Sequence, residues 1–126
     1  MMQVLQIRAV EQVKVDQERL GSLYAQLGET GAENVVCRAM EELALRLSHC
    51  DRLYRGQDWD ELRKNARSLI AIADQIGMDR LSQVAADVTG CIDNRDSTAL
   101  ASTLSRLLRI GERSLTAIWS VSDLDN

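Results

Sequence analysis

The chain has 126 residues, one domain's length, and can bury roughly two thirds of its surface on folding. Fifteen Lys and Arg against 19 Asp and Glu leave a net charge of -4, the wrong balance for a reader of nucleic-acid phosphates. Apolar residues make up 45%, and no apolar run nears the ~20 residues of a membrane span. The expectation is a folded cytoplasmic protein that binds neither nucleic acid nor membrane.

Proline and phenylalanine are absent, and Leu and Ala are abundant. A chain without proline has no forced helix breaks, and Leu, Ala, Arg and Glu all favour helix. Glycines then mark where helices stop. From Asp16, the positions Leu20, Leu23, Tyr24 and Leu27 form an apolar stripe, and Gly28 ends it. Thr30-Gly-Ala-Glu33 has the capping-box pattern, followed by a stripe at Val36, Met40, Leu43, Leu47, Cys50 and Tyr54 that Gly56 closes. A second capping box, Asp58-Trp-Asp-Glu61, precedes Leu62, Ala66, Leu69, Ala73 and Ile76, with Gly77 as the stop. Asp79 is expected to cap a shorter helix bearing Leu81, Val84, Ala85, Val88 and Ile92.

After the polar break Asp93-Asn-Arg-Asp-Ser97 comes the last helix, striped by Leu100, Leu104, Leu107, Leu108, Leu115, Ile118 and Trp119. Residues 1–14 fit a helical extension, although Glu11 to Val15 alternates as a strand would. The whole predicts an all-α single domain: an antiparallel up-down four-helix bundle over 15–121, an N-terminal extension over 1–14 and a frayed tail over 122–126. The three cysteines, Cys37, Cys50 and Cys91, form no CxxC pair and read as buried free thiols. Neither a zinc site nor any other cofactor is expected.

The third helix carries the functional signal. At 100° per residue, Leu62, Ala66, Leu69, Ala73 and Ile76 share one side, which faces the core. Asp60, Arg63, Lys64, Arg67, Ile70, Ala71 and Asp74 share the other. That outer side mixes cations with an isoleucine and an alanine, as a docking surface would.

The run Leu62-Arg-Lys-Asn-Ala66-Arg67-Ser68-Leu69-Ile70-Ala71, followed by Gln75-Ile76-Gly77-Met78-Asp79-Arg80-Leu81, resembles the histidine phosphotransfer (HPt) domain. That family's motif runs Ala-His-x-Leu-Lys-Gly, then a helix-ending Leu-Gly with a leucine four residues later. Ala66, Leu69, Gly77 and Leu81 match it. Val15-Asp16 before a leucine-striped helix, the Glu41-Glu42-Leu43 helix, Asp58 ahead of the motif and a long last helix follow the family's order, over residues ~15 to 120.

The chemical positions do not match. The family's acceptor histidine falls on Arg67, its lysine on Ile70 and its glycine on Ala71. Phosphotransfer needs a neutral imidazole nitrogen, and a guanidinium has no lone pair to offer. The resemblance therefore implies a pseudo-phosphotransfer module, not an enzyme, whose partner is the acidic receiver domain of a response regulator or a histidine kinase. Its contact face would comprise Arg63, Lys64, Arg67, Ile70, Ala71 and Asp74. Asp60 can pair along the helix with Arg63 or Lys64, but no acid lies one turn from Arg67. Arg67 is either a solvated surface arginine or the centre of that face.

His49 is the only histidine, flanked by Arg46 and Arg52 on the outer side of its helix near the C-terminal end. It reads first as a residue complementing the helix dipole, and second as an unconventional phosphoacceptor. Arg46 stands three residues before it, where a di-iron bundle would need an acid. Glu41 and Glu42 are adjacent and diverge on a helix, so they form no acid/base pair. Arg106, Arg109 and Arg113 make a basic stripe on the last helix; Trp59 and Trp119 read as packing residues. Two other functions stay open: active phosphotransfer through His49, and a structural bundle that self-associates or binds another helical protein through Val4 to Val15, with no tie to phosphorelay.

Overall fold

The computed structural model describes residues 15–125, with side chains for 15–117. The regular structure is entirely helical: α1 (Gln17–Arg55), α2 (Trp59–Gln75), α3 (Asp79–Asp93) and α4 (Ser97–Asp125). The expected extension over 1–14 and the side chains of Ile118 and Trp119 lie outside the described residues. No strand occurs among the described residues, and no described helix is long and apolar enough to cross a membrane.

Three aspartates start helices as side-chain caps. Asp16 accepts from the backbone NH groups of Glu18 (3.0 Å) and Arg19 (3.2 Å), Asp58 from Glu61 (3.3 Å) and Asp96 from Ala99 (3.0 Å). Asp79 does not cap. Met78 holds that position without a side-chain bond, and Asp79 lies in the first turn, where its charge favours the positive helix end.

The two helices expected on either side of Gly28 are both present and meet at a kink, so that together they form the span of α1. Gly28 has φ 75° and ψ 172°, a non-helical conformation inside α1, and the helix resumes at once. Thr30 therefore already lies within α1 and, among the described residues, makes no capping bond. The bend leaves Leu27 48% exposed, off the core stripe where periodicity put it. At the other end, no proline or glycine follows Gly111, and α4 spans Ser97–Asp125.

The four helices close into a ring in which α1 and α3 each pack on α2 and α4. Between them lies one core, whose fully buried members include Leu43, Leu62, Leu69, Ile76, Leu81, Leu107 and Ile110. Leu62, Ala66, Leu69 and Ala73 are all fully buried, as the wheel of α2 requires. Small residues bring α4 against α1: a Cβ on buried Gly111 would stand 2.4 Å from Leu47 Cδ1. Cys50 alone of the cysteines is fully buried; Cys91 is half-buried and Cys37 exposed, so the expected burial of all three thiols does not hold.

One thiol couples this core to pH. Burial pushes Cys50 up to about 11 from an ordinary 9.0, against smaller opposing effects of an Asn65 hydrogen bond and the Arg46 charge. The folded chain thus keeps a proton that the unfolded chain releases near pH 9. Stability from this source is complete below pH 9 and is lost as pH rises through 11, by up to about 2–3 kcal/mol. Urea titrations at pH 8 and pH 10.5 should show the loss in the wild type and a smaller one in Cys50→Val. Equal losses in both would show that the thiol stays protonated or out of the balance.

Candidate functional site

Helix α2 turns Lys64, Arg67, Ala71 and Asp74 to solvent, while Arg63 and Ile70 are half-buried along the edge facing α3. Ile70 packs against the core cluster, so it borders the outer face instead of standing on it. This is where residue 70 falls on the wheel, 80° from Leu62, and the apolar side chain takes the buried option. The docking face is narrower than the sequence suggests. Its centre is Arg67 beside Ala71.

The ion pairs also differ from the sequence reading. Arg63 does not use Asp60. It makes a two-pronged pair with Asp93, the last residue of α3, through Nε–Oδ1 at 2.7 Å and Nη2–Oδ2 at 3.1 Å. Lys64 pairs with Glu61 at 3.3 Å, one turn back. The Arg63 hydrogen bond holds the Asp93 carboxyl below its usual range, and the charge of Arg67 adds a smaller effect in the same direction. An acid therefore does lie near Arg67, brought in from α3 across a sequence distance no helical spacing reveals. Arg63 already occupies its two oxygens. Among the described residues Arg67 makes no hydrogen bond or ion pair, so its fork remains free for a carboxylate from outside.

On its opposite edge α2 meets α1 through a polar clasp. The amide of buried Asn65 donates to the Arg46 carbonyl (2.7 Å) and to Cys50 Sγ (3.1 Å), and its oxygen accepts from Arg46 Nη1 (3.2 Å). Both donors of the amide and its acceptor oxygen are thus turned inward, which keeps a polar residue in the core interface at little cost. Sequence reasoning passed over Asn65. Its signal was an amide 60° from the centre of an otherwise apolar stripe.

The clasp fixes Arg46, whose guanidinium also pairs with Glu42 at 3.4 Å. Beside it, half-buried His49 and Leu53 and exposed Arg52 of α1 face Glu61, Lys64, Asn65 and Ser68 of α2 across an open groove of about 350 Å³. A larger groove, about 600 Å³, lies at one bundle end between Trp59, Asp60, Arg63 and the α3–α4 turn. Trp59 is 40% exposed there and tilts against Tyr54, with ring centroids 5.8 Å apart. On α4, Arg106 and Arg113 are half-buried and Arg109 donates to Ser105 Oγ at 2.9 Å, so the basic stripe is not a uniformly solvated face. Among the described residues no group of three or more His, Cys, Asp and Glu is placed to hold a metal ion.

Neither a protein family, nor a curated protein, nor a solved structure matches the chain.

Proposed function

We propose that the chain is a non-catalytic, HPt-like antiparallel bundle that docks the receiver domain of a response regulator, or a histidine kinase, through the α2 face centred on Arg67. The observation that carries the reading is the placement of Arg67. It stands at the acceptor position of the motif, on the exposed side of a helix whose inner side keeps the motif's scaffold residues, with no side-chain hydrogen bond or ion pair of its own among the described residues. Gly77 supports the same register, because it ends α2 with φ 77° where the motif places its helix-breaking glycine. A receiver's phosphorylation pocket is a cluster of carboxylates, and a free guanidinium fork is the complementary group. Binding there would compete with, or tune, authentic phosphotransfer.

The wild type should take no acid-labile phosphate from a labelled kinase or phosphorylated receiver. Arg67→His combined with Ile70→Lys and Ala71→Gly restores the three motif positions. Arg67 and Ala71 are exposed, so the main folding cost is the glycine inside α2, ~1 kcal/mol, with a smaller one for drawing Ile70 off the core. The triple variant should accept phosphate slowly but detectably. A folded triple variant inert to a panel of kinases and receivers would count against the alignment with HPt domains. Label on the wild type that vanishes in His49→Ala would instead show phosphotransfer through His49.

A further inference from the structure

The groove between α1 and α2 meets the docking face only at Lys64, on their common border, and has a chemistry of its own. We infer that it is a binding site for a phosphate dianion, held between His49, Arg46 and Arg52 of α1 and Lys64 and Ser68 of α2.

Three observations lead there. First, the chain is acidic overall, yet three of its 15 cationic side chains and its only histidine line this one groove. Glu61 is the one acid among the lining residues. Second, the groove is assembled and not merely basic by sequence. Residues 46, 49, 52 and 53 follow one edge of α1, and residues 61, 64, 65 and 68 the facing edge of α2. The two edges are locked together by the Asn65 clasp. That clasp positions the Arg46 guanidinium in advance through Nη1, while its Nε rests 3.4 Å from Glu42 Oε2. Third, not all the lining charge is spent internally. Lys64 shares Glu61 and Arg46 shares Glu42, but Arg52 makes no ion pair or hydrogen bond among the described residues. A phosphate seated here would give Arg52 a partner, accept from an imidazole NH, and accept from the Ser68 hydroxyl once that rotates off the Lys64 carbonyl, to which it now donates at 3.2 Å. Charge-assisted bonds of this kind are the strong ones, and a planar guanidinium matches two phosphate oxygens at once. A tetrahedral anion with several acceptor oxygens fits a site that offers donors from two helices. A single carboxylate has too few oxygens to engage them together.

The site is independent of the Arg67 face. Phosphate here needs no receiver, and receiver docking needs no phosphate here.

The probes are inorganic phosphate and adenosine monophosphate, titrated into the full chain at constant ionic strength, with chloride as the reference anion. The readout is amide and imidazole NMR shifts. Resonances of residues 46–53 and 61–68 should move in a saturable way with phosphate and not with chloride. Arg52→Gln should weaken binding at least fivefold, Arg52→Gln with Lys64→Gln at least twentyfold, and Arg109→Gln on the remote helix should leave it unchanged. Both replaced side chains are exposed, so these variants should fold, and an unchanged amide spectrum outside the groove checks it. Tighter binding of the nucleotide than of phosphate would assign the groove to a phosphate carried on an organic body; equal binding would assign it to the free anion. Shifts that do not saturate, shifts that chloride reproduces, or equal affinity in Arg52→Gln would overturn the site.

Discussion

Gly77→Ala is expected to lower stability by about 3–5 kcal/mol, a large share of the 5–15 kcal/mol typical of a domain. Two separate costs combine. The backbone at Gly77 has φ 77°, where an L side chain is strained by about 1–2 kcal/mol. A Cβ there would also stand 2.9 Å from both the carbonyl oxygen and the Cβ of Asp16, and 3.1 Å from Arg19 Cβ. Those atoms belong to the start of α1 and cannot rotate aside like the end of a long side chain. The first turn of α1 must lift off the α2–α3 turn, which stretches the 2.7 Å bond from Asp16 NH to the Gly77 carbonyl and the contact between Arg19 and the Asp74 carbonyl. Gly28→Ala separates the two costs, because Gly28 also has a positive φ, 75°, but nothing lies within 4 Å of its Cβ position. It should lose only the strain, about 1–3 kcal/mol. Urea unfolding of both variants measures the difference. A Gly77→Ala loss no greater than that of Gly28→Ala would mean that the α1 start is not held on the turn.

The same turn shows what pattern reasoning reaches. Gly77 as a helix stop, and the buried side of α2, follow from local rules: a residue that tolerates positive φ, and apolar side chains every three or four positions. Asp58 was legible as a cap for the same reason, since a cap bonds within three residues, although the same rule misplaced a cap on Asp79. What escaped is whatever depends on another helix. The α4 stripe of Leu100, Leu104 and Leu107 leads on to Ile110, a fully buried core residue that the sequence pattern left out. In the fold it also takes in Gly111 and Ser114, both buried, and a Cβ at Gly111 would run into the Leu47 side chain of α1. The pair of Arg63 with Asp93, thirty residues apart, and the clasp of Asn65 on Arg46 and Cys50 are likewise contacts between helices. In the candidate site, α2 was placed correctly and its outer residues named, but which of them keep a free charge was not. Local spacing offered Asp60 to Arg63. Geometry gave it Asp93, and that choice decides the chemistry left to Arg67.

Arg67→Glu should abolish receiver binding, and Arg67→Ala should weaken it at least tenfold. An arginine desolvated against a carboxylate typically contributes about 2–5 kcal/mol to binding, whereas a rim charge contributes well under about 1. Arg67 meets the first description: exposed in the free chain, free of internal partners among the described residues, and next to Ala71, whose small side chain lets a partner close over it. Lys64 meets the second, being held by Glu61 at the border of the face, so Lys64→Ala should chiefly reduce the association rate and its salt dependence. Arg63 is a separate case. Its removal leaves the Asp93 carboxylate without its partner and within the field of Arg67, which can then turn inward to replace it. Arg63→Ala should therefore weaken binding several-fold although Arg63 itself touches no partner, and Arg63→Ala with Asp93→Ala should recover most of the loss. Titration calorimetry against a receiver captured from native lysate, at two salt concentrations, separates these effects. If Arg67→Glu binds as the wild type does, the docking face is not on α2, and the Arg63–Asp93 pair serves only to fasten α2 to α3.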